Sequence, residues 1–109
     1  MSATHLLIHR YRPGSGPAEG SAEHDAEMAQ WEQADRQLRA DGIVVGAFAL
    51  QGSGTVLGPQ DRTVELATDE EIVFAVHAIA VSDDDQAQRI AAGLPTVGYG
   101  TVEVRALMG

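Results

Sequence analysis

The side chains best suited to proton transfer are the four histidines, His5, His9, His24 and His77, because imidazole titrates nearest neutrality. His5 and His9 lie in HLLIHRY, which alternates as a strand: His5, Leu7, His9 and Tyr11 share one face, and Leu6, Ile8 and Arg10 the other. At strand rise the two imidazoles stand about 13 Å apart, too far to bind one metal together. Hydrogen-bonded or partly solvated strand histidines are the ordinary expectation. His77 sits in the apolar run IVFAVHAIAV, where a core histidine satisfied by a neighbour is the commoner case. If it shares a cavity with His9, the two become candidate catalytic acids or bases. His24, near a helix start, is expected to be solvated.

Near the C-terminus, TVEVRAL places Glu103 and Arg105 on the strand face opposite Val102, Val104 and Ala106. Residues two apart in a strand are separated by about 7 Å, too far for a tight pair. They can still address one ligand, the arginine as a planar fork for a carboxylate and the glutamate as a base or as the orienter of an imidazole. A cross-strand or cross-dimer salt bridge is the competing reading, and it is favoured. His5, Tyr11, Glu103 and Arg105 are therefore candidate ligand-binding residues, with His9 and His77 as the candidate catalytic pair.

Composition limits what these residues can serve. Seven Lys and Arg against 16 Asp and Glu give a formal charge of −9, which argues against nucleic acid and anionic membranes as partners. No apolar run approaches the roughly 20 residues of a membrane span, and the N-terminus lacks a signal-peptide core, so a cytoplasmic protein is expected. The absence of cysteine removes disulfides, thiolate nucleophiles, Cys-type zinc sites and iron–sulfur clusters. GSGTVLG misses the dinucleotide spacing and no amphipathic helix follows it. The Asp83–Asp85 run lacks the glycine and distal glutamate of a calcium loop. No cofactor and no metal are expected.

The elements that must position the histidines follow from periodicity. Residues 12–21 are turn-forming, and residues 22–40 read as a helix with Met28, Trp31, Ala34 and Leu38 on one stripe, Trp31 serving core packing. Gly42 is placed to stop that helix in the left-handed conformation. IVVGAFAL forms a second strand. The pieces TVL and RTVEL within or just after residues 51–61 leave open an extra hairpin or an extended excursion. IVFAVHAIAV is a central strand. Ser82 reads as the N-cap of a second helix with the apolar stripe Ala87, Ile90, Ala91 and Leu94, closed by Gly93 and Pro95. The order is βαββαβ in one domain spanning residues 1–109. It predicts an α+β, ferredoxin-like fold, with helices on one face of a four-stranded antiparallel sheet. In that arrangement the last strand pairs with the first, which is expected to set Glu103 and Arg105 beside His5 and His9.

The opening HLLIHRY, the helix with Trp31 and its LRADG ending, VSDDDQAQRIAAGLP and above all GYGTVEVRAL together resemble the YCII-related proteins, in particular the branch named for an Asp-Gly-Pro-Phe motif. The namesake motif is not intact: its nearest trace is Leu57, Gly58, Pro59 and Gln60, followed by Thr63 and Glu65. The helix histidine of the family falls near Gln30, and His24 lies almost two turns earlier, so the motif assigns no catalytic histidine. The resemblance implies a dimeric α/β-barrel arrangement with a cavity between two sheets. It also implies, for a minority of members, lyase or isomerase chemistry by a histidine with an acidic partner.

Two helices cover one sheet face. The other is expected to carry Leu7, part of the third strand and Val45 or Phe48, more apolar area than a monomer leaves wet. A homodimer burying about 1,200–2,000 Å² follows. The functional expectation is a small domain binding a small anionic organic molecule at the sheet interface. The alternatives are a lyase or isomerase using a strand histidine, and a structural or regulatory interaction protein.

Overall fold

A computed structural model describes residues 2–64 and 71–108. Its elements are β1 (His5–Tyr11), α1 (Ala22–Ala40), β2 (Val44–Ala49), β3 (Gly54–Val56), β4 (Arg62–Val64), β5 (Ile72–Ile79), α2 (Asp84–Ala92), a 3₁₀ turn (Pro95–Gly98) and β6 (Thr101–Ala106). It is a mixed α+β structure. Strands β2, β5, β1 and β6 form one sheet in that order, with every neighbouring pair antiparallel. The segment whose form the sequence leaves open is a hairpin, β3 paired with β4 as a separate two-stranded sheet. Glu65 and Leu66 of RTVEL lie outside the described residues.

Both helices start and stop where local chemistry requires. Ser21 accepts a hydrogen bond from the His24 N–H at 3.1 Å, capping α1. Gly42 stands at φ 72° just beyond the helix, a conformation in which a Cβ is disfavoured. The N-cap of α2 is Asp83 rather than Ser82: Asp83 accepts from the Gln86 N–H at 2.8 Å. Ser82 instead donates its N–H and hydroxyl to the Gln86 side chain. The carboxylate takes the cap because it is the stronger acceptor for an amide at the positive end of a helix.

The core lies between the sheet and the helices. Leu7, Val44, Ile79, Ala87, Ala91 and Leu94 are buried there, with Trp31, Ala34 and Leu38 of α1 packed against them. Leu7 is therefore in the core, not on the uncovered face. The register explains why. His5, Leu7 and His9 pair with Ile79, His77 and Ala75 on one side, and with Ala106, Val104 and Val102 on the other. Residues directly opposite in a sheet point the same way, so the β1 histidines face the helices in company with the β6 valines.

Glu103 and Arg105 lie opposite Ile8 and Leu6 and thus on the uncovered face. The expected placement of this pair beside His5 and His9 is overturned: they are neighbours in the sheet, separated by its thickness. Glu103 accepts instead from Arg10 across the strands at 2.6 Å, with Arg105 looser at 3.4 Å, which is the cross-strand salt bridge of the competing reading.

Candidate functional site

A one-residue irregularity between His9 and Arg10 in the β1–β5 pairing leaves Phe74 without a partner on β1. Such a bulge breaks the strict alternation of side chains. Here Phe74 comes within ring contact of His9 (centroids 5.9 Å apart) and Tyr11 (4.9 Å). A cleft of about 560 Å³ opens between α1, the β1–α1 loop and the ends of β2 and β5, with Tyr99 closing one side.

Three aligned side chains of α1 line this cleft. Glu27, Trp31 and Asp35 follow at four-residue intervals, so they share one side of the helix, each about one turn from the next. Behind them runs a chain of hydrogen bonds. Thr96 Oγ1 is 3.0 Å from His9 Nδ1, His9 Nε2 is 2.8 Å from His77 Nδ1, and His77 Nε2 is 3.3 Å from Asp35 Oδ1. The Trp31 indole lies parallel to the His77 ring with centroids 5.8 Å apart, and edge-on to His9 at 5.4 Å.

His9 and Thr96 are fully buried, whereas His77 and Asp35 reach the cleft. Burial holds the His9 pKa down at about 4, helped by the neighbouring charge of His77 and opposed by that of Asp35. His9 is thus neutral at pH 7. With a neutral His9 and the Asp35 carboxylate as acceptor, one arrangement satisfies every group: Thr96 O–H donates to His9, His9 Nε2–H to His77, and His77 Nε2–H to Asp35. If His77 takes a second proton, on Nδ1, His9 shifts to its other tautomer and donates to Thr96. Every contact among the rings survives, so His77 can gain or lose a proton without breaking the chain.

At the other end Tyr99 lies beside Glu27 and Thr96, and its pKa is raised, first by burial and then by the neighbouring Glu27. It is a neutral phenol. Glu27 Oε1 is enclosed by protein and has no hydrogen-bond partner.

A model of the YCII-related domain matches residues 3–109. The chain belongs to the YCII-related domain family. A comparison with curated proteins finds no match.

Within this YCII-related domain the structure brings together His9, His77 and Tyr11 of the candidate residues and leaves three apart. His5 is at the opposite end of β1, bound to Asp84 Oδ1 at 2.7 Å and Thr4 Oγ1 at 2.9 Å, where it fastens β1 to the start of α2. Glu103 and Arg105 are beyond the sheet. His24 is half-buried and lines the cleft rather than standing in solvent. Sequence reasoning did not single out Glu27, Asp35, Thr96 or Tyr99. The available signal was the Glu27–Trp31–Asp35 spacing, two carboxylates flanking an aromatic on a helix that packs over a strand histidine. Among the described residues no group of three or more His, Cys, Asp and Glu side chains is arranged to hold a metal, and no helix is long and apolar enough to cross a membrane.

Proposed function

We propose that this domain binds a small organic molecule in the α1 cleft and moves a proton on it, with Asp35 and His77 as the acid–base pair. The observation that carries this reading is the hydrogen-bonded run from Thr96 through His9 and His77 to Asp35, buried at one end and open to the cleft at the other. Asp35 is the carboxylate exposed to a ligand, and His77 shares its proton. His9 is a positioning residue, since it touches neither the cleft nor a ligand bound there. The reaction class is isomerisation or elimination beside a carbonyl. Asp35–His77 removes a proton from the carbon next to the carbonyl, the electron pair moves onto the oxygen, and the same pair returns the proton at a neighbouring position or a leaving group departs with the electrons. His77 with Asp35 is a histidine with an acidic partner, the kind of pair the family resemblance implies, although His77 stands on β5 and not at the helix position near Gln30. An anion held by Arg105 loses its support, because that guanidinium lies across the sheet from every histidine of the cleft.

The test needs no knowledge of the substrate. Small carbonyl compounds incubated with the protein in deuterium oxide can be followed by proton NMR for exchange beside the carbonyl. The wild-type protein will exchange at least one compound that binds the cleft. Asp35→Asn and His77→Gln will slow that exchange by about a hundredfold or more, the usual worth of a positioned acid or base. Equal rates for wild type and Asp35→Asn on every such compound would dismiss the catalytic role.

We further infer that two copies meet through their uncovered sheet faces as a homodimer of ferredoxin-like units of the dimeric α/β-barrel type. The strand order β2–β5–β1–β6 supports that topology. The uncovered face presents Leu6, Ile8, Val76 and a Phe48 that is 61% exposed, apolar surface that association would remove from water. Light scattering at micromolar concentration will give twice the chain mass, and Phe48→Asp will halve it; a wild-type monomer would contradict the pairing.

A further inference from the structure

The charge and wall chemistry of the cleft specify its ligand more closely. This inference rests on reading the cleft as a ligand site. Glu19, Glu27 and Asp35 line it, and among the described residues no lysine or arginine does. A carboxylate or phosphate entering here would meet three acidic side chains, with only the imidazoles of His24 and His77 set against them. The rings of Trp31, Phe74 and Tyr99 form much of the remaining wall, and aromatic faces attract cations as well as apolar bodies.

Glu27 adds an independent observation. Its Oε1 is enclosed and unpartnered, and a carboxylate oxygen withdrawn from water without a donor is costly to keep. Tyr99 lies beside the same carboxylate. Turned toward the cleft that Glu27 lines, this oxygen would take an incoming N–H donor, and an ammonium completes it with opposite charge. Glu27 and Asp35 are eight residues apart on one helix, about 12 Å along its axis, with the indole between them. That span fits a molecule with its charged nitrogen at Glu27 and its reacting carbon at the Asp35–His77 end.

We propose that the cleft takes an organic cation, a protonated amine on a small aromatic or apolar body, oriented by Glu27. The amine end fixes direction, and the aromatic wall holds the body against Trp31. The binding step itself requires no bond to form or break.

Three matched probes test this on the full chain: 2-phenylethylamine, 2-phenylethanol and 3-phenylpropanoate, titrated at pH 7.5. Trp31 is the only tryptophan, so its fluorescence reports the cleft, and amide shifts by NMR confirm the location. The amine will bind at least tenfold more tightly than the alcohol, and the propanoate more weakly than either. Glu27→Gln will lower amine affinity about tenfold and leave the alcohol unchanged, whereas Glu32→Gln, on an exposed part of α1, will change neither.

A propanoate that binds as tightly as the amine, or amine affinity indifferent to Glu27→Gln, overturns the cation while leaving the cleft as a ligand site. Silence of Trp31 toward all three probes overturns both. Amine binding through Glu27 with no Asp35-dependent exchange on any carbonyl compound would instead retain the cation and remove the catalysis.

Discussion

Gly100→Ala will destabilise the protein by about 3 kcal/mol, at the upper end of what overpacking costs. Gly100 sits just before β6, where the chain crosses closely over the end of β1. A Cβ there would overlap the carbonyl oxygen of Arg10 and press on the Tyr11 side chain. The oxygen belongs to backbone held in the sheet, so it cannot swing aside as a side-chain end would. Alanine gains only about 0.4–1 kcal/mol from a less free unfolded chain, and the clash exceeds that. The Gly100 N–H also donates to the Thr96 carbonyl at 2.7 Å, and Thr96 holds His9. Displacement therefore reaches the cleft. Urea unfolding will show a lower midpoint with an unchanged slope, and Trp31 fluorescence of the folded variant will shift. A loss under 1 kcal/mol would mean that the crossing is looser than described.

Acid will weaken the fold through His9. Its folded pKa of about 4 lies below the ordinary 6.5, so between those values the unfolded chain binds the proton and the folded one does not. Stability from this residue is intact above pH 6.5 and falls as pH drops toward 4, by about 2 kcal/mol at pH 5 and on the order of 3 kcal/mol in full. Carboxylates also titrate at the lower end, so the comparison is with His9→Gln, whose amide can bridge Thr96 and His77 but does not ionise in this range. Between pH 7.5 and 5 the wild type will lose about 2 kcal/mol more than the variant. Parallel losses would show that His9 is not desolvated.

The sequence made the strands, helices and their order readable because each relies on local chemistry: alternation, capping residues and the glycine beyond α1. It did not reveal which face of β1 turns inward. Leu6 and Ile8 are more apolar than His5 and His9, and hydrophobicity alone sends the histidines outward. They turn inward because each finds a partner, His5 with Asp84 and His9 with Thr96 and His77. A buried polar group with its hydrogen bonds made is no longer penalised as its type suggests. The β6 alternation was readable, with Val102 and Val104 opposite Glu103 and Arg105. Glu103 and Arg105 stand on the uncovered face, and it was β1, read inside out, that placed the histidines beside them there.

Asp35 and Glu27 were hidden for another reason. On a helix whose apolar stripe is made by Trp31, Ala34 and Leu38, adjacent carboxylates read as solvated flank positions. Their importance comes from what lies beneath, His77 of β5 against Asp35 and Tyr99, just after the 3₁₀ turn, beside Glu27. The Phe74 bulge that opens the cleft has no marker in IVFAVHAIAV, which reads as an unbroken strand.

The relay is tested most directly at its own nitrogens, by following the ring ¹⁵N resonances of His9 and His77 from pH 8 to pH 4. His9 is expected to remain neutral throughout most of that range, approaching half-protonation only near pH 4, with its ring coupled by hydrogen bond to His77 and the His77 signals moving in Asp35→Asn. Two imidazoles titrating independently near 6.5, indifferent to Asp35, would show that no such relay backs the cleft.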